Sequence, residues 1–305
     1  MADAERSAPH SGVTLTHMGF FASVNGTVTP ASEARVSILD NGFTFGDSVY
    51  ETLRTYGGRP FLLDRHLARL RASASRLGIA IPRSDRELAG DLDELLRRAD
   101  NAESYIRLIV TRGVGDISYS FDAVKGPTVV MAVKPYQPYP DRHYTDGVDV
   151  IVSSIRRNHP LALDPAIKSC NLLNNILAVR ESQAKGAAEP ILLNQAGELA
   201  EGASTNVFVV RAGVVTTPPL DAGILPGITR AFVLELGRDL GLTMREATLR
   251  AEDLIAAEEA FLTSTTREIV PIRAVDGRSV GAGKPGPTTR RLLAAFRERA
   301  PRLVA

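Results

Sequence analysis

The sequence predicts an α+β protein of two domains. Three observations point to it. The chain has 305 residues, 44% of them hydrophobic, enough to fill two cores. Its apolar positions switch between strand-like alternation and helical spacing. Three prolines fall within 134–140, a stretch that excludes regular helix and reads as a linker. The expected divisions are an N-terminal extension over 1–17, a small α/β domain over 18–134, a linker over 135–146 and a larger domain over 147–305.

The small domain is expected to open on a hairpin about Asn25-Gly26, a strong turn dipeptide. A strand over 49–56 follows, with Tyr50, Thr52 and Arg54 on one face and Val49, Glu51 and Leu53 on the other. A polar face with one aromatic suits a pocket. Leu63, Leu67, Leu70, Ala74 and Leu77 recur at helical spacing, and His66, Arg69 and Ser73 form a second stripe beside them. A second helix about Leu88, Leu92, Leu95 and Leu96 leads into strands over 105–112 and 128–133. The larger domain begins with a strand over 148–155 and a helix from about 171 to 185. Strands over 190–194, 206–211, 260–265 and 269–275 come next, with helices over 229–240 and 287–300.

Composition excludes several classes of partner. The 36 basic and 35 acidic side chains nearly cancel, so no strong field recruits nucleic acid or an anionic membrane. No segment has the roughly twenty apolar residues of a membrane span. A small-molecule ligand is expected. Cys170 is the single cysteine, which fits a reducing, cytoplasmic setting, and 1–11 lacks the apolar stretch of a signal peptide. His10, His17, His66, His143 and His159 show no paired metal-ligand spacing, so no metal site is expected.

Lys168 stands alone among apolar residues ahead of a helix. Partial burial would free its amine as a nucleophile, although such a lysine can equally reach out to solvent. Three Gly/Ser/Thr clusters accompany it, at 201–206, 227–230 and 263–266. Small hydroxyls with the amides of a helix N-terminus make a phosphate cradle, which an arginine such as Arg69 can complete. Each cluster alone reads equally as a cap or turn. Cys170 reads as a small buried hydrophobe.

Six motifs then bring a family into view. Phe45-Gly-Asp-Ser-Val-Tyr-Glu-Thr, His66-Leu-Ala-Arg-Leu, Ile167-Lys-Ser-Cys-Asn-Leu-Leu-Asn-Asn-Ile-Leu-Ala, Glu201-Gly-Ala-Ser-Thr-Asn-Val-Phe, Leu225-Pro-Gly-Ile-Thr-Arg and Thr263-Ser-Thr-Thr-Arg-Glu-Ile occur in that order. Together they resemble the class IV, fold type IV aminotransferases that use pyridoxal 5′-phosphate. The resemblance spans about residues 20–296. It implies a small N-terminal α/β domain, a larger pseudo-barrel domain and a homodimer in which the partner subunit covers part of the substrate site.

The resemblance also implies roles. Lys168 would hold the cofactor as a Schiff base and carry the proton in catalysis. Glu201 would pair with the pyridine nitrogen. Arg69, Ile228, Thr229, Ser264 and Thr265 would hold the phosphate, and Leu225 would pack against the ring. Phe45, Tyr50, Thr52, Arg54, Tyr105, Arg107 and Thr266 would face the substrates, an amino donor and a 2-oxo acid. Tyr105 and Arg107 on one strand resemble the branched-chain subgroup, and 113–121 lacks the Arg-x-His trap of the D-amino acid enzymes. Ser118, where that subgroup usually has glycine, and Tyr50 and Thr52, where it has Phe and Gly, depart from its pattern. The expectation is transfer from a branched-chain L-amino acid to 2-oxoglutarate. An R-selective amine or D-amino acid transaminase is the alternative. Aminodeoxychorismate lyase activity and phosphate-ligand binding without turnover are further ones.

Overall fold

The computed structural model describes residues 19–304, so the expected extension over 1–17 lies outside the described residues. The chain enters through a hairpin of β1 (Phe21–Val24) and β2 (Thr27–Pro30). Asn25 and Gly26 between them have φ of 51° and 88°, the left-handed pair that a tight hairpin turn demands. Then come α1 (Asn41–Phe45), β3 (Ser48–Tyr56), β4 (Arg59–Pro60), α2 (Leu63–Arg76), α3 (Asp85–Ala99), β5 (Ser104–Thr111) and β6 (Thr128–Pro135). Ser84 and Glu87 close a capping box at the start of α3, which fixes that helix in sequence.

These strands form one six-stranded sheet in the order β2-β1-β6-β5-β3-β4. Leu67, Leu70 and Ala74 of α2 and Leu88, Leu92 and Leu95 of α3 bury one face of it, against Val49, Leu53, Ile106 and Val110. The opposite face therefore carries Tyr50, Thr52, Arg54, Tyr105 and Arg107, since Thr52 pairs with Arg107 and Arg54 with Tyr105 across the β3–β5 ladder.

After α4 (Arg142–Thr145), the second half contains β7 (Val148–Val152), α5 (Pro160–Leu163), α6 (Leu173–Ala184), β8 (Glu189–Leu193), β9 (Leu199–Gly202), β10 (Asn206–Arg211) and β11 (Val214–Thr217). It continues through α7 (Ile228–Asp239), β12 (Thr243–Glu246), α8 (Ala251–Ile255), β13 (Glu259–Ser264), β14 (Glu268–Val275), β15 (Arg278–Ser279) and α9 (Pro287–Arg299). The first strand of this half stops at Val152 instead of running to 155. There the Ser153 amide makes a last bond to the Ile191 carbonyl, and the Ser153 hydroxyl and Ser154 amide turn to the Glu181 carboxylate on α6.

Nine strands make the second sheet, in the order β12-β11-β10-β13-β14-β7-β8-β9 with β15 on β14. It curls into a half-barrel. Its core is mainly aliphatic and contains a group of aromatic rings, with Phe208 stacked on Phe261 at 4.9 Å. Phe61, from the segment after β4, packs edge-on against both Phe232 and Phe296 of that core, which also touch each other. Burial of Tyr56 and Phe61 in the second core thus holds the far end of β3 against the curled sheet. Among the described residues, no helix is long and apolar enough to cross a membrane.

Candidate active site

Between the two sheets lies a cavity of ≈ 340 Å³. All three small-residue clusters reach it, together with Lys168 and the polar face of β3 and β5.

Lys168 is placed by its backbone. Its amide donates to Ser73 Oγ of α2 at 3.1 Å, and its carbonyl accepts from the Tyr50 amide of β3 at 2.9 Å. Cys170 donates to the Ser48 carbonyl, so residues 168–170 run alongside the start of β3. The Lys168 amine enters the cavity 4.3 Å from the centroid of the Tyr50 ring. Burial, reinforced by the Arg69 guanidinium, pushes its pKa down to about 8. A substantial share of the amine is then neutral near physiological pH, as a nucleophilic lysine requires.

Glu201 sits on strand β9, fully enclosed. Its Oε1 accepts from Arg157 Nε at 2.8 Å, and its Oε2 accepts from the Leu225 amide at 3.0 Å and Asn206 Nδ2 at 3.3 Å. Burial still raises its carboxyl above the usual range, with Arg157 opposing. A cation brought to this carboxylate from the cavity would therefore gain strongly.

Arg69 is less free than its sequence position implied. Its Nε and one terminal nitrogen clamp the buried Glu51 carboxylate at 2.7 and 2.8 Å, and the other terminal nitrogen donates to the Pro226 carbonyl at 2.9 Å. Three of its five N–H groups are thus committed, and two remain along the outer fork. Burial would raise the Glu51 carboxyl, but Arg69 and His66 outweigh it and hold it down at about 2. His66 Nδ1 lies 2.7 Å from Glu51, and burial lowers the imidazole pKa. We therefore assign the neutral ring with its proton on Nδ1.

The cavity wall beside Arg69 has the chemistry to hold a phosphate. Thr229 and Thr265 hydroxyls lie 3.5 Å apart, and α7 starts there at Ile228, its N-cap Gly227 supplying no side-chain cap. Thr263 Oγ1 and Ser264 Oγ are buried without a hydrogen-bond partner. Buried hydroxyls are costly in that state, and acceptor oxygens in the cavity would satisfy them. The residues present fit a phosphorylated, cationic-ring cofactor such as pyridoxal phosphate.

On the remaining side, Arg107 lies with its guanidinium carbon 3.6 Å from the Tyr50 ring centroid and donates to Thr52 Oγ1 at 3.2 Å. Tyr105, Leu225 and Thr266 also line the cavity. Two expected substrate residues do not. Arg54 shares the β-face, but its long side chain turns to Glu268 and Tyr136, and its guanidinium lies between the Tyr56 and Tyr136 rings. Phe45 packs against Tyr119 with the rings tilted, 5.3 Å between centroids, outside the cavity.

Sequence reasoning missed Glu51, Arg157 and Asn206. A carboxylate on the core-facing side of β3 was a usable signal, since it demands a cationic partner such as Arg69. Nothing marked Arg157 beyond its neighbour Arg156.

The profile of amino-transferase class IV matches residues 48–275. A Methanocaldococcus jannaschii protein, provisionally named branched-chain-amino-acid aminotransferase, is 38% identical over 90% of this chain and 94% of its own. The D-alanine aminotransferase of Bacillus licheniformis is also 38% identical, over 89% and 94%. Among solved structures, the T.th. branched-chain amino acid aminotransferase complexed with N-(5′-phosphopyridoxyl)-L-glutamate superposes with a TM-score of 0.85 at 30% identity, covering 92% of this chain and 94% of that one.

Proposed function

Because the chain belongs to the class IV aminotransferases, enzymes that use pyridoxal 5′-phosphate, we propose that it transfers the amino group of a branched-chain L-amino acid to 2-oxoglutarate. When bound, the cofactor supplies an electron sink for the carbon that carries the amino group. Lys168 holds it covalently and moves the proton between donor carbon and cofactor. Glu201, held in place by Arg157, the Leu225 amide and Asn206, would pair with the pyridine nitrogen. The outer fork of Arg69, the first amides of α7 at Ile228 and Thr229, and Ser264 and Thr265 take the phosphate, while Leu225 packs on the ring. Tyr50, Thr52, Tyr105, Arg107 and Thr266 face the substrates.

One observation carries the substrate reading. Arg69, Arg157 and Arg267 in the cavity wall each pair with a glutamate, whereas Arg107 has no carboxylate partner among the described residues. A partly buried guanidinium in that state favours a substrate that brings its own carboxylate. Amino acids and 2-oxo acids do so, and simple amines do not. The glutamyl adduct bound to the T.th. enzyme supports 2-oxoglutarate as acceptor.

The Bacillus licheniformis relative favours a second reading, a D-amino acid transaminase on the same machinery. A panel of L-leucine, L-isoleucine, D-alanine and R-1-phenylethylamine, each with 2-oxoglutarate or pyruvate, separates these. The branched L-amino acids with 2-oxoglutarate should give the highest kcat/KM. Inert L-leucine beside a fast R-amine or D-alanine would overturn the assignment and leave the cofactor reading intact.

The same reading makes the enzyme a cytoplasmic homodimer. Ile38, Phe43, Ile117, Tyr119 and Phe121 are each more than 60% exposed in the single chain, an apolar surface of the kind a second copy covers. Phe45 borders this surface through Tyr119. Light scattering should give twice the chain mass, and a monomer at micromolar concentration would contradict it.

A further inference from the structure

The turn between β13 and β14 brings Ser264, Thr265 and Thr266 to the cavity, but Glu268, where β14 starts, is not part of the lining. Its side chain is buried and its φ is 59°, the left-handed region that a residue with a Cβ rarely adopts. Glycine or asparagine would sit there with less strain. The glutamate must therefore do something its backbone does not favour.

Three donors converge on its carboxylate. Arg54 and the Tyr56 hydroxyl donate to Oε1 at 3.3 and 3.2 Å, and Arg297 Nε of α9 donates to Oε2 at 2.7 Å. Burial and the Glu268 charge push the Tyr56 phenol pKa up, so this hydroxyl remains a donor. The carbonyls of the turn are held from the same side. Tyr136, itself bonded to Arg54, donates to the Thr266 carbonyl at 2.6 Å, and Tyr144 donates to that of Arg267 at 3.1 Å. Within the turn, by contrast, the Arg267 amide reaches the Ser264 carbonyl only at 3.3 Å. The β13–β14 ladder closes on the turn at the Ser264–Glu268 pair, and these outside partners hold the carbonyls and the carboxylate that lie beyond it.

We propose that Glu268 is a positioning residue for the cofactor phosphate. Its carboxylate, gripped by Arg54, Tyr56 and Arg297, sets the turn that presents Ser264 and Thr265. It also ties that turn to β3, the strand whose Tyr50 and Thr52 face the substrate. The inference rests on reading that turn as the phosphate cradle. It also gives Arg54 a task in the site without contact with substrate.

The test compares binding of pyridoxal phosphate with binding of pyridoxal, which lacks the phosphate, to the apoprotein by visible absorbance. In Glu268→Gln one oxygen becomes an NH₂ facing donors, so the grip fails on that side. Affinity for pyridoxal phosphate should fall about tenfold or more, and affinity for pyridoxal less than about threefold. Arg297→Met alters a half-exposed partner and is the milder variant. It should show the same phosphate-specific loss, about two- to fivefold. Unchanged affinity for pyridoxal phosphate in both variants would overturn the proposal, and so would equal losses for the two ligands. Failure of the wild-type chain to take up pyridoxal phosphate would overturn the cradle reading and this inference with it.

Discussion

The Lys168 amine sits 4.3 Å from the centroid of the Tyr50 ring, between a helix that holds its amide and a strand that holds its carbonyl. The ring offers partial compensation for the ammonium that burial disfavours. Because burial and Arg69 lower the folded pKa to about 8 from 10.5, the folded apoprotein loses this proton before the unfolded chain does. Stability should therefore rise as pH goes from about 8 to 10.5, and the penalty is complete below 8. Lys168→Met should remove this rise in chemical denaturation of the apoprotein. An unaltered pH profile would show that Lys168 is an ordinary solvated lysine.

The same residue should be indispensable to turnover, since both cofactor attachment and proton transfer need its amine. Lys168→Ala is expected to fold, to keep its circular dichroism spectrum and to lack measurable transamination. Borohydride treatment of the wild-type holoenzyme should leave the reduced cofactor on a peptide containing Lys168 alone. Near-normal turnover in the alanine variant would sink the assignment.

Glu201 and Arg157 should act as one unit. Burial already raises the Glu201 carboxyl and Arg157 opposes it, so Arg157→Met should raise it further. Chemistry that needs the carboxylate then weakens as pH falls through this raised pKa. The acidic limb of the kcat profile should shift to higher pH in Arg157→Met. Glu201→Gln should lower kcat at every pH with little change in cofactor affinity, because the phosphate contacts lie elsewhere. Identical profiles in Arg157→Met and wild type would remove Arg157 from this role.

Arg69 illustrates what the sequence could and could not reveal. Helical spacing put His66 and Arg69 beside the apolar stripe, and alternation put Glu51 on the core side of β3, so each residue was legible alone. Their union was not, because it depends on how α2 crosses β3, a tertiary distance that periodicity does not encode. Arg54 failed for a related reason. Alternation assigns a face to its Cβ, while the guanidinium, several bonds away, goes where Glu268 and two tyrosine rings attract it. Short side chains such as Thr52, Ser264 and Thr265 stay near their backbone, and all three line the cavity. Glu201 was read within a turn-like cluster, and only pairing of β8 with β9 reveals it on a strand.

The Glu51 clamp makes Arg69→Ala a stability variant as well as a cofactor variant. Removing one partner of a buried ion pair costs about 3–5 kcal/mol, and losing a charged phosphate contact costs about ten- to a hundredfold in affinity. Both should appear, in chemical denaturation and cofactor titration. Glu51, held at about 2, also contributes stability that is present above 4.5 and lost as pH falls toward 2. That acid-sensitive component should shrink in Arg69→Ala. Full stability with reduced cofactor binding alone would mean the clamp is energetically idle.

Arg107 offers the sharpest test of substrate class, because its guanidinium stacks on Tyr50 and contacts Thr52 but meets no acid among the described residues. Arg107→Leu removes the charge and keeps some packing volume. Losing a charged hydrogen bond to the substrate carboxylate should reduce kcat/KM for L-leucine about ten- to a hundredfold. R-1-phenylethylamine brings no carboxylate, so its rate should change far less. The comparison must be made on the amino-donor half-reaction alone, followed by the cofactor's absorbance change, since a 2-oxo acid acceptor would also present a carboxylate to Arg107. Arg107→Lys should recover part of the amino-acid rate, as it restores the charge without the planar fork. Equal losses for the amino acid and the amine would mean that Arg107 supports the cavity wall instead of reading the carboxylate.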